Sequence, residues 1–360
     1  IGSEARPARR RAVLVASSVF QLGLLAWFKY SGFLAETVRD VAALLGLDGP
    51  GWPAVVLPLG ISFYTFQILS STIDVYRRRI EPCRDLALYA LYVAYFPQLV
   101  AGPIERAAQL LPQLRATRPA GLAELSNGGR LVLWGLVKKG VLADRLAPSM
   151  RAFVEAPERH SSAELLVGTF LMMAVLYLDF SAYTDIARGS ARLFGVELVE
   201  NFRRTFLVTE NRQFWNRWHM SLGRWLGDYV HAPLSKGVPT YASIWRNTLI
   251  VMGLFGLWHG AGWNFVALGF TVGSLIAFEH SLQLWRYRRG RRAKPARGPA
   301  GAAAGFAWTM LLNSAILVLF FAPDLRGALD YYRCLLPVDP GALRLGGDAP
   351  WIALAVAGLF

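Results

Sequence analysis

Four stretches of this sequence contain no Asp, Glu, Lys or Arg: Gly49 to Ile73, Leu86 to Ile104, Asn247 to Phe278 and Gly298 to Pro323. At about 1.5 Å of rise per helical residue, each is long enough to cross about 30 Å of hydrocarbon. A water-soluble core has little room for so many uninterrupted apolar runs. The composition agrees, with 54% apolar residues against 17% charged and a mean hydropathy of +0.34; soluble domains carry about a quarter charged residues. Disorder, a disulfide scaffold and a water-soluble enzyme are excluded. The sequence predicts an all-α, polytopic membrane protein. The excess of 38 basic over 24 acidic residues reads as cytoplasmic Lys and Arg beside anionic headgroups, not as a nucleic-acid surface. Cys83 and Cys334 have no metal or redox spacing.

Along the chain, Ala12 to Phe28 is apolar and closes with Lys29-Tyr30, a snorkelling and aromatic pair suited to an interface. Pro53 to Ile73 reads as a second span interrupted by Pro58 and Gly60. Leu86 to Ile104 holds Pro97, Gly102 and Pro103 near its end, so it is expected to dip into the membrane and turn. Leu131 to Val137 meets Lys138-Lys139 almost at once. Leu165 to Ile186 is span-length, with Asp179 and Asp185 inside it. Phe202 to Leu234 is rich in Trp and Arg and reads as interfacial or re-entrant. Thr248 to Phe278 suits two helices broken at Gly260 and Gly262, and Gly305 to Ala322 is the next span. Eight to ten membrane-embedded segments are expected. The loop Arg286 to Arg297 holds seven Arg or Lys and no acid, and is expected to face the cytoplasm. The start, IGSEARPARRR, is basic and runs straight into a hydrophobic segment, so no cleavable signal peptide is read there. An initial Ile and a final apolar run suggest a single membrane-embedded domain, 1–360, cut from a longer protein.

Polar groups inside lipid are costly unless paired, so each is a functional candidate. His259, in FGLWHGAGWNF, is the only ionisable side chain between Arg246 and Glu279. A helix–helix hydrogen bond would explain it. So would a general base, since a desolvated imidazole favours its neutral, proton-accepting form. Gly256, Gly260 and Gly262 allow the close backbone approach that a narrow tunnel requires. In NRQFWNRWHMSLGRWLGDY, helical spacing puts Phe214, Trp218, Leu222, Trp225 and Tyr229 on one face, with Arg217, Ser221 and Arg224 opposite. An amphipathic surface helix accounts for most of these, with His219 just past the edge of the apolar face. The arginines can equally hold a phosphate-bearing donor or a lipid headgroup. In YLDFSAYTDIARGSARLFG, Asp179, Asp185 and Arg188 suit a structural ion-pair network, Asp185 and Arg188 having i, i+3 spacing. Phosphate-loop, zinc-protease, serine-hydrolase and dithiol motifs are absent from the sequence, and no metal site is expected.

At PLGISFYTFQ, YFPQLVAGPIER, VKKGVLADRLA, DFSAYTDIA, ENFRRTF, FWNRWHMSLGRWLGDYV and GLWHGAGWNF, the sequence resembles the membrane-bound O-acyltransferases, with the blocks in family order from about Pro58 to Phe265. VFQLGLLAWFKYSGF extends a weaker similarity to the start. The nearest branch resembles bacterial alginate O-acetylation proteins, with D-alanyl transferases of teichoic acid close by. The loop SKGVPTYAS departs from the family pattern, and the family's first spans lie upstream of Ile1. The resemblance implies a multi-span helical bundle, with interfacial and re-entrant helices around a funnel or tunnel. It implies acyl transfer, with acetyl expected, from a cytosolic thioester (acetyl-CoA or an acyl carrier) to a hydroxyl of an extracytoplasmic polysaccharide or an intermediary acyltransferase. No bound cofactor and no nucleic acid enter that reading. It also implies a multi-pass protein of the bacterial inner (cytoplasmic) membrane, with His259 essential and His219 the second histidine. Around them, Asn264, Arg217, Arg224, Trp218 and Asp179 are the candidate substrate-binding residues. D-alanyl transfer, or a proton-coupled transporter built on buried His and Asp, are the alternatives.

Overall fold

A computed structural model describes residues 7–49, 51–53, 55–116, 118–290 and 298–336. Those residues form helices and connecting turns, with no strand among them. In chain order the helices are α1 (Pro7–Leu44), α2 (Ile61–Tyr76), α3 (Leu86–Val93), α4 (Ala107–Arg115), α5 (Leu122–Leu136), α6 (Asp144–Glu155), α7 (Ser162–Leu193), α8 (Asn211–Trp215), α9 (Met220–Leu226) and α10 (Ala232–Leu234). They continue with α11 (Tyr241–His259), α12 (Trp263–Arg288), α13 (Pro299–Ile316), α14 (Val318–Phe321) and α15 (Leu325–Leu335). Two π-helical stretches, Val137–Ala143 and Gly227–His231, join α5 to α6 and α9 to α10.

Among the described residues, Pro7–Leu44, Ser162–Leu193, Trp263–Arg288 and the continuous Pro299–Phe321 are long and apolar enough to cross a membrane. Four helices among the described residues thus have full span length, where the sequence leads to an expectation of eight to ten embedded segments. The segment from Pro53 illustrates why. Its helix begins only at Ile61, because Gly60 turns with φ 74° against the Leu99 carbonyl, where a Cβ would collide. As the prolines predict, α3 ends at Val93 and the chain turns before residue 104. Helix ends follow local chemistry. Asp85 accepts from the Leu88 N–H at 3.0 Å, Asp324 caps α15 at Gly327, and Thr240 and Ser243 cap α11 reciprocally.

The chain divides into two compact units, one drawn from residues 1–132 and 187–199 and one from residues 133–186 and 200–360. Within the first, Glu105 has no exposed surface, and its Oε1 accepts the Val199 N–H at 2.6 Å. Burial pushes this carboxyl up to about 7, against the pull of that hydrogen bond and of Arg188 and Arg106. Within the second, an aromatic core gathers Met173, Phe206, Val208, Phe214, Trp218 and Met310. It packs between α7, the 200–220 segment and α13.

Candidate active site

α11 and α12 run antiparallel through a connection of three residues, Gly260–Gly262. Small residues bring their backbones together. A Cβ on Gly256 would strike the Phe265 carbonyl and lie 2.9 Å from the Gly269 nitrogen, and one on Gly273 would lie 3.1 Å from Met252 Cβ. Gly260 and Gly262 have extended backbone, and space is what excludes a side chain there. A Cβ on Gly260 would meet the Phe265 ring, and one on Gly262 would lie 2.5 Å from Asn264 Oδ1. The break read from the sequence and the close approach read for Gly256, Gly260 and Gly262 are both present.

This hairpin sets His259 at the C-terminal end of α11, half-buried, with ring centroids 4.6 Å from Phe255, 4.8 Å from Trp258 and 5.3 Å from Phe320. Asn264, the second residue of α12, donates from Nδ2 to the carbonyls of Leu319 at 3.2 Å and Ala322 at 3.1 Å. It clamps the start of α12 to α14, which carries Phe320. Its amide hydrogens are thereby engaged in holding the site together.

His219 arrives from the other side. It has left-handed backbone, φ 42° and ψ 54°, and immediately precedes α9. Asn201 stabilises this kink, accepting the Met220 N–H on its carbonyl at 2.9 Å and the Ser221 N–H on Oδ1 at 3.1 Å. The His219 side chain is 2% exposed. Its ring meets Phe180 edge-on at 4.7 Å and lies 5.6 Å from Trp258. Trp258 therefore touches both histidines. Neither ring nitrogen of His219 has a hydrogen-bond partner among the described residues. Burial pushes its imidazole well below the ordinary histidine range, and the neighbouring His259 adds to that shift, so His219 is neutral. An unsatisfied buried polar group costs about 1–3 kcal/mol, and a non-glycine left-handed residue of this kind costs about as much again. Both costs fall on this one residue.

The kink also corrects the single helical wheel over Asn211 to Tyr229. The segment is α8, a turn, α9 and a π stretch, because the left-handed residue at 219 breaks the register. Phe214, Trp218, Leu222 and Trp225 are buried as the wheel predicts, but Ser221 is buried too and His219 moves from the rim to the interior. Trp218 stacks on Phe214 at 5.4 Å and meets Phe202 edge-on at 5.2 Å, as part of the aromatic core. Arg217 donates to the carbonyls of Arg204 at 3.2 Å and Leu207 at 2.7 Å, pinning its own loop. Arg224 is exposed on α9.

On α7, Asp179 pairs with Lys139 at 2.5 Å. Asp185 pairs with Lys138 at 2.7 Å. The reason is the π stretch after α5. It places Lys138, 5% exposed, against Ser181 at 2.8 Å and Asp185, and Lys139 against Asp144 at 2.8 Å and Asp179. Arg188 lies within electrostatic reach of Glu105. Asn201, Lys138 and Glu105 carry structural roles that the residue-by-residue reading assigned to none of them. The available signal was a polar side chain within an otherwise apolar or aromatic block.

The family-wide sequence model described as MBOAT, membrane-bound O-acyltransferase family, matches residues 54–322. A protein named "Probable alginate O-acetylase" in Azotobacter vinelandii is 35% identical over 271 residues, covering 75% of this chain and 54% of its own length. One of the same name in Pseudomonas putida is 33% identical over 358 residues, covering 99% of this chain and 71% of its own. A peptidoglycan O-acetyltransferase of Helicobacter pylori is 28% identical over 370 residues, covering 92% and 66% respectively. The chain thus spans about half the length of the first of these relatives and about two thirds to 71% of the others.

Proposed function

Because the chain belongs to the membrane-bound O-acyltransferase family, we propose that it moves an acyl group from a thioester donor to a hydroxyl, with His259 and His219 at the reacting centre. The observation that carries this is the pair of histidines on either side of Trp258, one half-open and one sealed with both ring nitrogens unpartnered. His259, the accessible one, takes the proton of the acceptor hydroxyl as its oxygen attacks the thioester carbonyl carbon. The charge then formed on the ring sits at the C-terminal end of α11, where the helix dipole favours a cation. Collapse of the tetrahedral intermediate breaks the C–S bond, and the departing thiolate recovers the proton from His259. His219, held neutral, orients the reacting groups through its free nitrogens. Since the Asn264 amide and the N–H groups of Gly260, Phe265 and Val266 are engaged, the oxyanion is assigned to the backbone N–H groups of Ala261 and Gly262.

The acyl group is proposed to be acetyl and the acceptor an extracytoplasmic glycan, or a protein that passes the group on, with a cytosolic donor and a place in the cytoplasmic membrane. The names of the alginate and peptidoglycan O-acetylating relatives support this choice. Arg224, exposed on α9, is assigned to donor capture, with Arg217 and Trp218 holding the loop and aromatic core around His219. The test is His259→Ala and His259→Gln in purified protein with labelled acetyl thioester. Both are expected to lose transfer by at least about 10²-fold, the usual contribution of a general base. Wild-type-like transfer in either variant at matched protein level overturns the assignment.

A further inference from the structure

A cavity of about 420 Å³ opens beside α7, lined among others by Lys139, Asp144, Arg151, Glu155, Asp179 and Phe321. On α6, Asp144, Ala147, Arg151 and Glu155 follow one another at helical spacing and share the cavity face. Across it, Lys139 is held between Asp144 at 2.8 Å and Asp179 at 2.5 Å.

The exposure of this group decides what it faces. Asp179 lies midway along the 32-residue α7, about 26 Å from its start at about 1.5 Å per residue. Its side chain is 50% exposed and that of Lys139 47%. Half-exposed ions on a span-length helix are costly to leave facing lipid, so the recess is read as open to water. It also shares a thin wall with both histidines. Phe180, the neighbour of Asp179, meets His219 at 4.7 Å, and Phe321 meets Phe320, which meets His259 at 5.3 Å.

The lining carries two cations, Lys139 and Arg151, and three anions, Asp144, Glu155 and Asp179. Lys139 is already matched by two carboxylates. A polyanion gains nothing from such a lining and is repelled by it, whereas hydroxyl groups can donate to the carboxylates and accept from the cations. We infer that this recess is the approach of the hydroxyl acceptor and that it admits a neutral saccharide in preference to a polyanionic one. The inference rests on the acyl-transfer reading above and adds the class of acceptor.

The test replaces Ala147, on the recess wall, with cysteine in the full chain carrying Cys83→Ser and Cys334→Ser. A charged methanethiosulfonate, which reacts with hydrated thiols, is expected to label position 147. A neutral tetrasaccharide is expected to slow labelling at least about fivefold, and a tetrauronate of equal length is not. Labelled protein should show an acceptor KM raised about tenfold with a smaller fall in kcat, and Glu155→Lys should narrow the preference for the neutral sugar. An unreactive cysteine in folded protein, or equal protection by both sugars, overturns the inference whether or not transfer is measured. Loss of His259-dependent donor cleavage, with protection by the neutral sugar intact, would instead sink the transferase reading alone.

Discussion

A carboxyl group with no exposed surface makes the first unit sensitive to pH. Glu105 is raised from 4.5 to about 7 by burial, so the folded protein holds this proton to higher pH than the unfolded chain does. Stability from this group is therefore fully present below about pH 4.5 and falls as pH rises towards about 7, by about 3 kcal/mol at about 1.4 kcal/mol per unit. Glu105→Gln keeps an oxygen for the Val199 N–H and removes the titration. Unfolding midpoints at pH 5 and pH 8 should differ in the wild type and converge in the variant; a wild type equally stable at both would contradict the assignment. At His219, asparagine is the informative replacement because it tolerates left-handed backbone. His219→Asn should fold with a near-normal midpoint yet cleave bound donor about 10²-fold more slowly. Normal turnover would make His219 a packing residue. The two arginines should separate by stability. Arg217→Ala loses two hydrogen bonds to carbonyls and about 1–3 kcal/mol. Arg224→Ala, at an exposed site, should stay within about 0.5 kcal/mol of wild type and weaken donor affinity instead.

Among the elements, the α11–α12 hairpin sets the position of His259, and its glycines are not equivalent. Gly256 has the Phe265 carbonyl and Gly269 where a Cβ would go, whereas a Cβ on Gly253 would come no closer than 3.9 Å to Phe270. Gly256→Ala should therefore spread the helices, cost about 1–3 kcal/mol as overpacking does, and displace His259 with loss of transfer. Gly253→Ala should be silent in both unfolding and activity. Equal behaviour of the two variants would mean that the close approach does not position the histidine. The hairpin was readable because Gly260 and Gly262 interrupt a long apolar run. The helix over residues 211–229 was misread for a physical reason: a periodicity argument has no term for a single histidine with positive φ, which costs local strain and is held there by Asn201 from outside the segment.

For the whole molecule, membrane residence and orientation are the quantities at stake. Four helices among the described residues have the length and apolarity to span a bilayer, and the chain is a membrane protein. The basic loop from Arg286 to Arg297 lies outside the described residues from position 291 onward. Its charge still carries an expectation, because short Lys- and Arg-rich loops resist translocation. A cysteine replacing Ala293 should stay unreactive towards an impermeant thiol reagent in intact cells and become reactive after permeabilisation. Labelling in intact cells would reverse the orientation.

Hydrophobic runs, breakers and ordered motif blocks were legible in the amino-acid order, because lipid solvation acts residue by residue and a broken helix announces itself locally. That was enough for the all-α membrane class and the turn beside His259. Partnership was not legible. Lys138 meets Asp185, Asn264 gives its amide to α14, and Asp179 lines a recess with Lys139 and Asp144, because each depends on which distant backbone comes within about 3 Å of it. The burial of His219 is of the same kind. Its desolvation comes from Phe180 on α7 and Trp258 on α11, 39 residues apart from it in either direction, and only the packing of those helices brings them to one imidazole.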